Sequence, residues 1–290
     1  MKHFCIIANM EKEMAYEMSE KIKNYLLEHQ KDCMVLKGQG CAGDGVPYTC
    51  EDEIPDTVDC AIVLGGDGTI IQAADDLVHK DIPILAVNMG TLGYLAEVDV
   101  QSYEASLDRL FLDDCYIERR MMLHGTVRRH PGKEEFSGHA LNDIVVTKRG
   151  SCRIIELHLW LNDELIDTYV ADGLIVSTPT GSTGYNLSAG GPVMAPSLQA
   201  IVITPICPHS LNNRSLVINP KDQVEIEIGK SKKNQEEEAC AIFDGEIVQS
   251  LNTGDRICIH KALEETKFIK LNSNSFYGIM RNKLGKECRQ

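Results

Sequence analysis

The most informative shortages in this 290-residue sequence concern long apolar runs, positive charge and ordered cysteine spacing. No apolar stretch approaches the roughly 18 residues a membrane-crossing helix requires, so no membrane partner is expected. Lys and Arg number 29 against 43 Asp and Glu, a formal net charge of −14. A chain this acidic repels nucleic acid and anionic lipid unless a local basic patch intervenes, and none of convincing size is present. Eleven cysteines contain no C-x-x-C pair, and nine histidines form no H-E-x-x-H or Cys/His cluster. That excludes a disulfide framework read from spacing and assigns no residue as a metal ligand. The opening MKHFCIIANM has too short an apolar run for a signal peptide. Together with the unpatterned thiols it leads us to expect a cytoplasmic protein. Neither a Walker A loop nor a G-x-S-x-G elbow occurs.

What is present is a globular composition, 43% apolar and 25% charged, ample for a core. Phe4 to Ala8, Ala61 to Leu64 and Ile82 to Val87 are short apolar runs of buried-strand type. Between them, Met14, Met18, Ile22 and Leu26, with Tyr25 beside them, predict a helical stripe, and Ile70 to Val78 predicts a second helix. Gly38 to Gly45 marks a loop. Strands alternating with helices imply an α/β domain with a parallel sheet. Near Tyr116 the pattern changes to short alternating runs, among them Met122 to Val127, Ile144 to Thr147, Ile154 to Leu161 and Leu165 to Val170. Asn162-Asp163 is a hairpin turn between the last two. Later runs at 174–177, 201–204, 216–218, 224–228, 240–243 and 256–260 complete a C-terminal all-β, sandwich-like domain. Lys230 to Glu238 reads as a solvated hairpin tip, and the tail from Phe268 turns helical and returns to the first domain. The expected organisation is an α/β nucleotide-binding domain at 1–115 completed by 266–290, and a β-rich domain at 116–265.

Four segments carry chemistry. Gly65-Gly66-Asp67-Gly68-Thr69 lies between a strand and a helix. Its glycines let backbone N–H groups approach an anion at a helix N-terminus. An aspartate there repels phosphate, so it makes sense as a base for an attacking hydroxyl or as a metal neighbour. The alternative is a tight turn with Asp67 capping the helix. Asn88 to Ala96 follows the third strand and ends on the same sheet edge, where ligands of open α/β sheets bind. Asn88 offers a hydrogen bond there and Tyr94 a stacking ring. Asn142-Asp143 pairs an amide with a carboxylate, suited to a ribose diol or an adenine edge, although the same dipeptide is also an ordinary turn. Asp172 to Tyr185, continuing to Pro192, opens from an apolar strand into hydroxyls and glycines, with a helix expected near Thr183.

In content and order these motifs resemble the NAD kinase family, strongly over residues 60 to 220 and more loosely at Phe243 to Glu246 and Ser275 to Tyr277. The resemblance implies phosphorylation of the 2′-hydroxyl of NAD's adenosine ribose by ATP or another phosphoryl donor. A divalent metal, Mg2+, would be required, and NAD would lie across the cleft between two domains. It makes Asp67 the general base and Gly66 and Gly68 phosphate-contacting backbone. Asn142 and Asp143 would hold sugar and adenine; Thr183, Gly184, Tyr185, Asn186 and Ser188 would form the adenosine pocket. Asp172 and Cys207 would lie toward the nicotinamide end, partly across a subunit contact in a homodimer or homotetramer, and Arg153 falls where some relatives place a basic or histidine contact. Departures from the usual pattern are Gln72 in place of arginine, Gly184 in place of alanine, Asp143 in place of glutamate and Tyr94 in place of phenylalanine. Two other readings stay open: a lipid kinase sharing the glycine loop, and a dinucleotide sensor without turnover.

Overall fold

The structure is a computed structural model that describes residues 1–8, 13–36, 51–90, 93–129, 135–150, 153–209, 214–230, 238–271 and 275–284. The glycine loop at 38–45 and most of the predicted tip at 230–238 lie outside the described residues. Contacts divide the chain into two units, residues 1–120 with 265–290, and residues 121–264.

The first unit runs β1 (His3–Ala8), α1 (Glu13–Glu28), β2 (Asp32–Leu36), β3 (Cys60–Gly65), α2 (Asp67–Asp76), β4 (Ile84–Asn88), β5 (Val98–Asp99) and α3 (Tyr103–Phe111). Strands β2, β1, β3 and β4 pair in parallel in that order, and β5 pairs in parallel with β4. Strands β1, β3 and β4 are buried almost throughout. That is what continuous apolar runs require when both faces of a parallel sheet are covered. Ile22 and Leu26 of α1 and Leu107 and Leu110 of α3 join Phe4, Ile6, Ile62, Leu64, Leu85 and Val87 in one core.

One expectation is corrected here: Met14 is 64% exposed, while Ala15 is buried in its place. Residues spaced by four advance about 40° too far per step on a helix of 3.6 residues per turn, so a stripe drawn from 14 to 26 drifts off the core face.

The second unit takes up most of β6 (Tyr116–Arg128), then β7 (Phe136–Ala140), β8 (Asp143–Lys148), β9 (Ile155–Leu161), β10 (Glu164–Ala171) and β11 (Gly173–Ser177). After a 3-10 turn at Gly181–Thr183 come α4 (Tyr185–Ser188), β12 (Ile201–Ile206), β13 (Leu216–Ile218), β14 (Val224–Ile228), β15 (Glu238–Phe243) and β16 (Ile247–Asn252). The expected helix near Thr183 is thus only a 3-10 turn followed by one α turn. Strands β13, β12, β11, β8, β15 and β16 form one antiparallel sheet. Strands β10, β9 and β14 pair with the first part of β17 (Arg256–Lys270) in a second. Inward residues of both, such as Val146, Leu174, Ile203, Leu157, Ile226 and Ile257, share one core, the arrangement of a sandwich. Asn162 and Asp163 both take positive φ, 50° and 67°, as a two-residue hairpin turn between β9 and β10 demands.

The last residues of β17 return to the first unit, where Phe268 pairs in parallel with Ile84, and α5 (Phe276–Leu284) follows. A buried Lys270–Glu97 ion pair of 3.1 Å, the Leu271 N–H donated to Glu97 and the Arg109 guanidinium donated to the Leu271 carbonyl fasten this segment. The fold is therefore an α/β domain joined to a C-terminal β-rich domain, with the tail returning to the first.

Candidate active site

In the first unit the site begins with sheet register. Gly65 at the end of β3 lies opposite Asn88 at the end of β4, so both loops leave the sheet at one edge. The Met89 N–H, donated to the Gly65 carbonyl at 3.3 Å, holds them together. Helix α2 starts directly at Asp67, with Gly66 as its N-cap in extended conformation and no side-chain cap. Asp67 therefore does not cap α2. Its carboxylate turns to the other loop and accepts N–H bonds from Tyr94, at 2.9 Å, and Leu95, at 3.2 Å.

Gly93 makes that approach possible. A Cβ on Gly93 would lie 2.6 Å from Asp67 Oδ2 and closer still to Oδ1 and Cγ. Gly65 is constrained in the same way by Thr69. Gly66 and Gly68 differ: a Cβ on either meets nothing within 4 Å, and neither takes a positive φ. Nothing in the described contacts requires glycine there. The open space lies at the first turn of a helix whose N–H groups favour an anion.

Asn88 is buried, and its amide is engaged with Gly90 in both directions, Nδ2 donating at 2.7 Å and Oδ1 accepting at 3.2 Å. It shapes its loop. The Tyr94 ring carries Lys283 Nζ 4.4 Å from its centroid and lies 6.2 Å from Phe276. Burial, with the Asp67 charge adding to it, raises the Tyr94 phenol above its ordinary value. Gln72 is half-buried on α2.

In the second unit Asn142, Asp143, Thr147, Tyr185, Asp244 and Gly245 line a cavity of about 390 Å³. Asp143 is only 6% exposed. Among the described residues no hydrogen bond reaches its carboxylate, and burial pushes it up to about 7. Gly181 packs against the Asn142 backbone, where a Cβ would lie 2.7 Å from Asn142 Cα. A Cβ on Gly184 would sit 3.9 Å from Asn142 Nδ2 and 4.0 Å from Asp143 Oδ2, in ordinary contact with the pair, but only 3.3 Å from the Gly181 carbonyl.

The remaining residues fall into distinct places. Tyr185, Ser188 and Gly184 are exposed and Thr183 is half-buried with its hydroxyl on the Thr180 carbonyl. Asn186 is fully buried. It donates to the carbonyls of Ser182 and Pro192 and accepts from the Thr204 hydroxyl at 2.7 Å, so it braces the loop from within. Asp172 and Cys207 flank the paired ends Gly173 and Ile206 of β11 and β12. The Asp172 carboxylate pairs with Lys148 Nζ at 2.6 Å, and Cys207 is an exposed thiol at φ 44°. Arg153 is exposed.

One residue was not singled out in the sequence. The Asp244 carboxylate accepts the N–H groups of Leu141, Asn142 and Asp143 at 2.6, 2.8 and 2.9 Å. Although the residue keeps some exposure, enclosure of the carboxylate, with Asp143 beside it, pushes it up to about 8 against the pull of those N–H bonds. The available signal was Asp244-Gly245 closing β15, both at positive φ, 48° and 79°.

Among the described residues no group of three or more His, Cys, Asp or Glu side chains is arranged to hold a metal ion. The donor set therefore does not fit a resident metal, and no chemical step is derived through one.

Family profiles for the ATP-NAD kinase N-terminal domain and the ATP-NAD kinase C-terminal domain match residues 4–115 and 141–271. A curated NAD kinase of Lachnoclostridium phytofermentans is 47% identical over 288 residues, 98% of this chain and 99% of that one. One of Lachnospira eligens is 42% identical over 295 residues, 98% of this chain and 100% of that one. Among solved structures, an NAD kinase from Archaeoglobus fulgidus in complex with ATP superposes with a TM-score of 0.75 at 25% identity, covering 98% of each chain. Yeast NADH kinase complexed with NADH superposes at 0.87 over 98% of this chain and 88% of that one; at 24% identity it bears on the fold.

Proposed function

This chain belongs to the ATP-NAD kinase family, and on that premise we propose that it transfers the γ-phosphoryl group of ATP to the 2′-hydroxyl of the adenosine ribose of NAD, releasing ADP and yielding NADP. The observation that carries the reading is the Asp67 carboxylate, fixed by two backbone N–H groups of a neighbouring loop beside the open first turn of α2. A carboxylate offers about four lone-pair sites, and two N–H bonds leave capacity for a substrate hydroxyl. Asp67 accepts the hydrogen bond of the 2′-hydroxyl and takes its proton as the oxygen attacks phosphorus. The N–H groups around Gly66 and Gly68 receive phosphate oxygens, placing negative charge at a helix N-terminus. Magnesium would come with ATP as part of the substrate, and among the described residues none is assigned to hold it.

Asn142, Asp143 and Tyr185 offer the amide, carboxylate and ring that a nucleoside requires, with Thr183, Gly184 and Ser188 beside them. Asp172 and Cys207 serve the nicotinamide end, and Arg153 supplies a basic contact to the ligand. A cytoplasmic homodimer or homotetramer is the assembly this reading carries with it. In the test, protein, NAD, ATP and magnesium are incubated and NADP is detected with an NADP-specific dehydrogenase. NADP formation that depends on ATP supports the reading. Calorimetric NAD binding without product replaces it with a dinucleotide sensor, and phosphorylation of lipid vesicles instead of NAD replaces it with a lipid kinase.

A further inference from the structure

The turn that presents Asn142 and Asp143 is bonded from two sides. Its N–H groups, from Leu141, Asn142 and Asp143, all go to the Asp244 carboxylate. The Asp143 carbonyl in turn accepts the Asp244 N–H at 3.0 Å. On the other side the Thr178 hydroxyl donates to the Leu141 carbonyl at 2.6 Å, and the Thr178 N–H donates to the Asn142 carbonyl at 2.8 Å. The backbone polar groups of this turn are thus spent inside the protein. The Asp143 carboxylate is left without a partner among the described residues, at the wall of the cavity.

A lone turn of this kind has no reason to hold its direction, because Asn-Asp backbones adopt several turn conformations. Three N–H bonds converging on the two oxygens of one enclosed side chain share a single rigid anchor. We propose that Asp244 is a positioning residue for the dinucleotide: by gathering the three N–H groups of Leu141 to Asp143 it sets the direction in which Asn142 and Asp143 meet the nucleoside. It touches the turn and acts through it. The inference rests on the NAD kinase reading given above.

The experiment is a double-mutant cycle of Asp244→Asn and Asn142→Ala in the full chain, read by steady-state kinetics, calorimetric NAD titration and thermal unfolding. Asparagine keeps the size of Asp244 and one acceptor oxygen, but turns an amide NH2 against an N–H donor. The expected result is a KM and Kd for NAD raised about tenfold or more by Asp244→Asn, as misplacement of a binding group produces. KM for ATP stays within about twofold. In the Asn142→Ala background the second substitution costs less than it does alone, because the part of its effect that passes through Asn142 is already lost. Equal losses for NAD and ATP, additive effects in the cycle, or a lowered Tm with NAD parameters unchanged would overturn it. Failure of Asp244→Asn to fold overturns it too, by making the carboxylate a requirement of the β-rich unit alone. A wild-type chain that forms no NADP defeats the kinase reading instead, and the NAD titrations then still decide whether Asp244 governs binding.

Discussion

Gly93→Ala adds one methyl group and tests whether Asp67 works from the place it occupies. The backbone at Gly93 does not take a positive φ, so alanine brings no conformational strain of its own. Its Cβ, however, would lie 2.6 Å from Asp67 Oδ2 and nearer to Oδ1 and Cγ, where ordinary contact begins at 3.4 Å. The carboxylate must retreat by about 1 Å or more, and a misplacement of that size costs on the order of 10²-fold in rate. The retreat also lengthens bonds of 2.9 and 3.2 Å to the Tyr94 and Leu95 N–H groups. Ionic hydrogen bonds contribute about 1.5–3 kcal/mol each when fully desolvated, and Asp67 is half-exposed, so water recovers part of the loss. The expected stability change is therefore small, on the order of 1–2 kcal/mol. The assay is kcat for NADP formation at saturating NAD and ATP, beside a thermal unfolding curve. A Gly93→Ala enzyme with near-normal kcat refutes the idea that the Asp67–loop contact holds the base.

Other perturbations separate the remaining roles. Asp67→Asn keeps the shape but removes the base: kcat falls about 10²-fold or more while the calorimetric Kd for NAD is nearly unchanged, and near-normal turnover rules out Asp67 as base. Gly66→Ala meets no protein atom within 4 Å and takes no strained φ, so its Tm stays at the wild-type value. If phosphates approach the backbone there, KM for ATP rises about tenfold or more, equivalent to ~1.4 kcal/mol; an unchanged KM places the phosphates elsewhere. The last prediction concerns pH. The Asp143 carboxyl is raised from 3.8 to about 7 by burial, so the folded state holds its proton longer than the unfolded state does. Its contribution to stability is full below pH 3.8 and disappears as pH rises through about 7. At about 1.4 kcal/mol per pH unit the loss is at most roughly 4 kcal/mol. Asp143→Asn should therefore gain Tm relative to wild type between pH 5 and pH 8, and a constant gap between the two curves contradicts the reasoning.

Much of this molecule was legible in one dimension because its signals are local. The apolar runs of β1, β3 and β4, the alternation of β9 and β14 and the turn at Asn162-Asp163 follow from side-chain period and backbone preference over a few residues. The NAD kinase resemblance was readable for a similar reason, since its motifs are contiguous segments in a fixed order, and the family match agrees with it. A local pattern misleads only where its period differs from the helix's own: a four-residue spacing drifts round a 3.6-residue turn, and Met14 is exposed.

What tertiary structure alone decided are the partners of the carboxylates and amides. Asp67 could be read as a helix cap or as a base, and only the register of Gly65 against Asn88 brings the Tyr94 and Leu95 N–H groups to it. Asn88 and Asn186 read as ligand contacts, yet their amides are engaged inside the protein. Asp244, about a hundred residues beyond the Asn142-Asp143 turn, carried no motif strong enough to connect the two until β15 was laid beside β8. Side-chain chemistry and local periodicity settle which chemical groups are available and which segments form strands. A hydrogen bond, however, depends on distances of a few tenths of an ångström between atoms far apart in the chain. Those distances, and with them the contacts of Asp67 and Asp244, exist only once strand pairing has set the register.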